Sequence, residues 1–328
     1  MGVGSVGVVD GSTNKSLHGE VNALHVYGTQ GNSRKSWLDD AEPSLTSHRM
    51  TKDLAGKTFI ITGANTGIGK ITAQKLAARG ARVVLACRSR AKTEPVIAEI
   101  EKLTGGKPEL VELDLADLAS VRKAAAEILA KYPAIDALIN NAGLVTRGTT
   151  KDGFELIFGT NHLGHYLFTR LLLERLERSH GRIVNVASSS HYAAKGIDWA
   201  ALQQPTRSVT GVHEYEVSKL ANVLFTKELA RREGTKVTTY AVHPGTVATD
   251  VWRRIPLPVR WIVKRFMITP EQGAISTLHA ATAPELANET GRYYNLDGKE
   301  KRPSRLADDA ELAKQLWQRS AEWTGLPA

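Results

Sequence analysis

The chain has 328 residues, 42% hydrophobic and 23% charged, with 43 Lys and Arg against 34 Asp and Glu for a formal net charge of +9. That apolar content supports a large buried core and excludes a disordered chain, and no apolar run reaches the ~20 residues that span a bilayer. The single cysteine, Cys87, excludes an intrachain disulfide framework and a cysteine-rich zinc site. The positive balance suits nucleic acid, anionic lipid or phosphorylated small molecules alike, but no dense basic tract with interleaved aromatics marks a nucleic-acid surface.

Residues 1–52 are rich in Gly, Ser, Asn and Thr and hold no helical or strand period. No basic stretch leads into an apolar one at the start, so a secretory signal is absent from the pattern, and Val6 stands where N-myristoylation requires Ser or Thr. We read residues 1–49 as a flexible extension and residues 50–328 as one domain, and expect a cytoplasmic protein without a nucleic-acid partner or an integral membrane segment. From Thr58 the chain alternates. β-branched runs at Thr58–Thr62, Arg82–Ala86, Leu110–Leu113, Ala137–Asn140, Ile183–Val186, Val237–Val242 and Arg292–Tyr294 predict strands. Between them, helical periods are predicted over Ile71–Arg79, Ala91–Leu103, Leu118–Ala130, Phe154–Arg178, Tyr215–Arg231 and Pro270–Ala281, the last opened by a capping box, Thr269-Pro-Glu-Gln272. Such alternation predicts an α/β fold: a single doubly wound domain whose seven-stranded parallel sheet is covered on both faces.

The first predicted strand runs into Gly63-Ala-Asn-Thr-Gly67-Ile-Gly69, and a helix follows. Glycines in that context let backbone N–H groups and a helix N-terminus approach a pyrophosphate. Further along, Tyr215 and Lys219 stand at i and i+4 on one helical face. A phenol with a pKa near ~10 is a poor acid–base group at neutral pH unless positive charge lies beside it. His162 and His165, at i and i+3, lack a third ligand at metal-binding spacing; His191 and His213 read as substrate-pocket or surface residues.

These motifs resemble the short-chain dehydrogenases/reductases. Thr62-Gly-Ala-Asn-Thr-Gly-Ile-Gly69 is similar to that family's cofactor loop, and Asn140-Asn-Ala-Gly143, Asn161, Ser188, Tyr215-Glu-Val-Ser-Lys219 and His243-Pro-Gly-Thr246 follow in the family's order. Thr62–Lys70, Leu85-Ala-Cys-Arg88, Thr160-Asn-His-Leu-Gly-His165, Ser218–Phe225, Tyr240–Gly245 and the tail from Leu316 resemble the retinol-dehydrogenase-like branch. The resemblance implies Tyr215 as acid/base, Lys219 as its tuning partner and holder of the nicotinamide ribose, Ser188 as the substrate-oxygen ligand (Ser189 being the alternative), and Asn161 as the residue ordering a water relay. A buried helical Asn can equally satisfy backbone groups. The resemblance further implies a cofactor lined by Gly63, Asn65, Thr66, Gly67, Ile68 and Gly69, and by Arg88, Asp114 and Leu115 at the second and third strand ends. Asn141, Ala142 and Gly143 would meet it at the fourth, with Tyr215, Lys219, Pro244, Gly245 and Val247 beyond; Asp114 would lie near the adenine.

NAD-specific sites place an acid after the second strand to receive the ribose 2′-hydroxyl. Here that strand ends Leu85-Ala-Cys-Arg88-Ser-Arg90 without one, and a guanidinium binds a 2′-phosphate bidentately. We therefore expect NADP(H), with NAD(H) disfavoured, Arg88 as the main discriminator and Lys70 as a weaker one. Between the Pro-Gly motif and Pro270, Val259, Ile262, Val263, Phe266 and Met267 form an apolar stripe opposite Arg260, Lys264 and Arg265. Three readings stay open for it: a helix packed on the core, a membrane-surface helix that would give peripheral contact, and, as the resemblance implies, a substrate lid over about 247–268. The expected reaction interconverts a lipophilic carbonyl and its alcohol; a homodimer stays open. The rivals are a cofactor-sensing protein without turnover and a light-driven tetrapyrrole reductase, for which Cys87 alone is poorly placed.

Overall fold

In the computed structural model the described residues are 52–232, 236–245 and 268–328. The elements run β1 (Thr58–Thr62), α1 (Gly67–Ala78), β2 (Arg82–Cys87), α2 (Arg90–Thr104), β3 (Glu109–Glu112), α3 (Leu118–Lys131), β4 (Ala137–Asn140) and α4 (Leu156–Phe158). A π-helical turn (Gly159–Leu163) then leads into α5 (Gly164–Arg178), followed by β5 (Arg182–Val186), α6 (Val212–Arg231), β6 (Thr238–Val242), α7 (Pro270–Thr282), β7 (Arg292–Tyr294) and α8 (Ala310–Thr324). The sheet order is β3-β2-β1-β4-β5-β6-β7, every pair parallel.

Alternation along each strand splits the core into two layers. Phe59 and Ile61 join Val83, Leu85, Val184, Val186 and Tyr240 under α1, α2 and α7. Ile60, one residue out of phase, joins Val84, Val111, Leu138 and Ile183 under α3, α5, α6 and α8, where Phe225 stacks on Trp317. Burial on both faces explains why these strands read as near-continuous apolar runs.

The predicted strand ends hold to within one residue, and α7 opens with the capping box read from the sequence, Thr269 accepting from the Gln272 N–H. Three differences have local causes. α1 begins at Gly67, because the end of the glycine loop itself winds its first turn. The run Phe154–Arg178 is not one regular helix: it is broken by the π turn that contains Asn161. And α8, unread in the sequence, is fixed by Asp309 accepting from the Glu311 and Leu312 N–H groups and by Gly325 in the left-handed region at φ 65°.

Candidate active site

β1 and β4 are sheet neighbours whose onward connections run in opposite directions, so their carboxyl ends part into a crevice. The glycine loop lines one wall and the Asn141–Gly143 turn the other. The two walls touch: a Cβ on Gly69 would stand 2.5 Å from both the Gly63 carbonyl and Asn141 Nδ2, and one on Gly63 would stand 2.9 Å from the Ala142 Cβ. Thr66 precedes α1 without a side-chain cap and no acid occupies the first turn, leaving the helix's opening N–H groups turned to the crevice. Asn65 is half-buried in that loop, and Ile68 is buried beside Ala274. Thr62 ties the walls together. Its Oγ1 accepts from the Asn141 and Ala142 N–H groups at 2.9 and 3.0 Å, while Asn141 Nδ2 donates to the Thr62 carbonyl at 2.8 Å.

His165 completes this joint. Its Nδ1 lies 2.9 Å from the Asn161 carbonyl and its Nε2 2.8 Å from Thr62 Oγ1. The first contact requires Nδ1–H as donor, so Nε2 accepts the Thr62 hydroxyl proton. Burial supports this neutral form by lowering the ring's pKa to about 4.

Lys219 is 3% exposed; its Nζ donates to the Val186 carbonyl at 2.8 Å and stands 5.4 Å from the centroid of the Tyr215 ring. Burial lowers its pKa to about 8, with no charged neighbour among the described residues opposing the shift. Asn161, fully buried in the π turn, accepts from the Leu144 N–H at 2.9 Å, and its Nδ2 donates to the Leu144 carbonyl and Ser218 Oγ, each at 3.1 Å. Ser218 Oγ donates in turn to the Tyr215 carbonyl at 2.8 Å. The Asn161 side chain thus satisfies backbone groups and clamps the segment after Gly143 to the first turns of α6. A Cβ on Gly143 would lie 3.6 Å from both Lys219 Nζ and Asn161 Oδ1, so Gly143, Asn161 and Lys219 converge.

Ser188 stands two residues past the end of β5, its Oγ accepting from the Ser190 N–H at 3.2 Å and donating to Ser190 Oγ at 3.1 Å. α6 packs against the turn Ser189–Tyr192, bringing the serine run to the side of the tyrosine helix. His191 corrects the sequence reading: it is neither a surface nor a pocket residue but fully buried, its ring between the Ser188 carbonyl and the Ser304 N–H. His213 is exposed, 4.0 Å from Glu216.

At the outer strand ends, Arg88 is exposed and makes no hydrogen bond or ion pair among the described residues. Its basic neighbours are engaged: Lys70 with Glu99 at 2.6 Å, and Arg90 with Glu112 at 3.1 Å and Glu94 at 3.3 Å. Asp114 is half-buried and accepts from the Ala116 N–H at 3.0 Å; the Leu115 side chain is buried in the core. Pro244 is buried, and Gly245 turns at φ 85° against Ile268. Val247 and the stripe Val259–Met267 lie outside the described residues. Sequence reasoning missed the buried polar ladder that runs Thr169–Asn140–Asn185–Thr226 between α5, the sheet and α6, each bond 2.8–2.9 Å; two asparagines inside apolar strands were the available signal. Among the described residues no three His, Cys, Asp or Glu groups could hold a metal, and no helix is long and apolar enough to cross a membrane.

A parallel, doubly wound sheet with a glycine loop at its switch point and a Tyr–Lys pair on the adjoining helix defines a dinucleotide-binding oxidoreductase fold. The family model described as short chain dehydrogenase matches residues 57–258, and the chain belongs to that family. Human retinol dehydrogenase 12 is 46% identical over 285 residues, covering 85% of this chain and 89% of that protein. Human retinol dehydrogenase 13 is 43% identical over 292 residues, covering 84% and 86%. A solved protein from Mycobacterium paratuberculosis superimposes with a TM-score of 0.67 at 35% identity, covering 85% of this chain and 99% of that one. A short chain dehydrogenase from Escherichia coli CFT073 complexed with NADPH gives 0.60 at 22% identity, covering 75% and 99%, a likeness of fold.

The residues present fit the nicotinamide dinucleotide that this family uses. Gly69 allows the loop to close against Asn141 and the Gly63 carbonyl, the uncapped opening N–H groups of α1 suit a pyrophosphate, and the buried Lys219 ammonium is a donor with no carboxylate shifting it among the described residues.

Proposed function

We propose that the protein is an NADP(H)-dependent oxidoreductase that interconverts a lipophilic aldehyde or ketone and its alcohol. The observation that carries this reading is the Lys219 ammonium, 3% exposed and one helical turn from Tyr215, its pKa lowered by burial with no charged group among the described residues offsetting that shift. The Val186 carbonyl takes one of its protons at 2.8 Å, and a buried ammonium with a neutral acceptor is further stabilised by an anion; a phenolate one turn away supplies it. The nicotinamide, when bound, supplies or accepts the hydride.

In reduction, the Tyr215 hydroxyl gives its proton to the developing alkoxide oxygen; in oxidation, its phenolate takes the alcohol proton back. Lys219 Nζ stabilises that phenolate electrostatically. Ser188 Oγ accepts from the Ser190 N–H and donates to Ser190 Oγ at 3.1 Å; in the reaction it exchanges Ser190 for the substrate oxygen as the acceptor of that proton. Asn161 holds Leu144 and, through Ser218, the Tyr215 turn in register with the crevice. The 2′-phosphate preference rests on Arg88, exposed and unpaired among the described residues, while Lys70 and Arg90 are paired. An apolar substrate is supported by the names of the relatives, retinol being a long apolar alcohol, and by the stripe Val259–Met267 in the sequence.

The test is cofactor consumption with NADPH and with NADH over a graded set of carbonyls from short polar to long apolar. Turnover favouring NADPH and apolar carbonyls supports the reading. Tight NADPH binding without turnover on any carbonyl would replace it with the cofactor-sensing alternative.

A further inference from the structure

Two histidines outside the Tyr215–Lys219 pair meet at one peptide bond. The turn after β5 places the Ser188 carbonyl 2.6 Å from His191 Nδ1, and the next atom group along the chain, the Ser189 N–H, donates to His243 Nδ1 at 3.1 Å. Carbonyl and N–H belong to the same planar unit. The tautomers follow from the donors. Ser304 N–H donates to His191 Nε2 at 3.1 Å, so Nε2 carries no proton and Nδ1–H is the donor to Ser188. Ser189 N–H donates to His243 Nδ1, so that nitrogen is bare. Each ring therefore has to be neutral, and each ring's partner comes from a different part of the fold.

Both rings are themselves held. His191 is fully buried and stacks edge-on against Tyr293, centroids 4.9 Å apart. The His243 backbone donates to the Tyr294 carbonyl of β7 at 2.8 Å and accepts from Ser276 Oγ of α7 at 3.5 Å. The charged and titratable groups facing the pair are Lys301 after β7, Lys219 of α6 and the phenols of Tyr192 and Tyr293. Burial, reinforced at both rings by Lys301, keeps each at about 4, so both stay neutral across the physiological range.

We infer that His191 and His243 are positioning residues that grip the Ser188–Ser189 peptide from its two ends and so hold the backbone from which the Ser188 hydroxyl reaches the substrate oxygen. Ser188 is extended at φ −166° and ψ 156°, and the plane that follows it sets that ψ angle; with both polar ends of the plane held, the Ser188 Cα keeps its place while the hydroxyl turns from Ser190 Oγ, 3.1 Å away, to the substrate. His243 also couples the turn after β6 to the serine after β5. The inference rests on the reading of Ser188 given under Proposed function. A displacement of about 1 Å at a reacting hydroxyl costs up to 10²-fold in rate.

The experiment is a double-mutant cycle on the full chain, read as kcat with an accepted aldehyde, KM for NADPH and thermal melting. His243→Leu removes the acceptor and should lower kcat about ten- to a hundredfold, with KM for NADPH within about twofold. His243→Asn puts an amide oxygen where Nδ1 was and should restore kcat to within about threefold; it also covers the case in which the leucine variant folds poorly. His191→Asn keeps a donor for Ser188 but releases Ser304, and should stay within the same threefold. In a Ser188→Ala background, His243→Leu should cost little more, because the hydroxyl it positions is gone. If Ser188→Ala is impaired and His243→Leu multiplies the loss by the same factor as in the wild type, the positioning role is overturned while Ser188 stands. Failure of His243→Asn to recover more than His243→Leu also overturns it. Wild-type turnover in Ser188→Ala overturns the Ser188 reading itself, and this inference with it.

Discussion

Replacing Asn161 by alanine removes three hydrogen bonds from a fully buried side chain and strands their partners: the Leu144 N–H and carbonyl and Ser218 Oγ. An orphaned buried polar group costs about 1–3 kcal/mol. Leu144 is only half-buried and regains some water, and Ser218 keeps its bond to the Tyr215 carbonyl, so the sum settles near ~2–4 kcal/mol. For a domain of this size that lowers Tm by about 5–10 °C. The same variant frees the segment after Gly143 and loosens the Tyr215 turn, and kcat should fall about 10²-fold. Thermal melting without cofactor, paired with steady-state turnover, reads both. Asn161→Asp separates the parts: it keeps an acceptor for the Leu144 N–H but opposes the Leu144 carbonyl with a second oxygen, so it should rescue neither Tm nor kcat. A Tm within about 1 °C of wild type alongside lost turnover would refute the clamp and leave Asn161 a purely chemical role.

Other outcomes follow from the site. Arg88→Ala should raise KM for NADPH about tenfold or more and leave KM for NADH nearly unchanged, since one bidentate charged contact is worth ~1.5–3 kcal/mol; equal effects on both cofactors would remove Arg88 as discriminator. Lys219 in the cofactor-free protein should lose its proton near pH 8, read as the pH midpoint of amine acylation mapped to that residue. Because its folded value lies below the unfolded one, its burial costs stability below pH 8, and that cost disappears as pH rises toward the unfolded value. Serine at both Phe266 and Met267 should raise KM for long apolar aldehydes several-fold more than for short polar ones; an equal effect on both classes would detach that stripe from the substrate.

The strands were legible because burial on both faces demands β-branched, apolar runs, and their parallel pairing because helices alternate with them; their order across the sheet comes from the structure. The motif residues were legible as types and spacing; the fold brings the glycine loop, Asn141–Gly143, Ser188 and Pro244 past the carboxyl ends of neighbouring strands, with Asn161 on a π turn and Tyr215 and Lys219 on α6. What connects them was not. Nothing in Thr160-Asn-His-Leu-Gly-His165 distinguishes a π turn from an α turn, yet that turn sets where Asn161 meets Leu144. Asn140 and Asn185 pair across β4 and β5 at register partners that no local period reveals. His165 reads in the sequence as half of an incomplete metal pair, His191 as a pocket or surface residue and His243 only as part of a motif, whereas contacts with Thr62, Ser304 and Ser189 make each of them a neutral connector. α8 carried a legible cap at Asp309, but its apolar face, Ala313, Leu316, Trp317 and Ala321, gains meaning only against α6.

The central claim is that the Tyr215 hydroxyl is the proton donor to the substrate oxygen in a crevice that binds NADPH. The most direct test is Tyr215→Phe, with NADPH affinity measured by fluorescence titration and turnover by NADPH oxidation with a long-chain aldehyde. The ring remains and only the transferable proton is lost, so affinity should stay within about twofold while kcat falls by roughly 10²–10⁴. A phenylalanine variant that turns over at near wild-type rate would contradict the account.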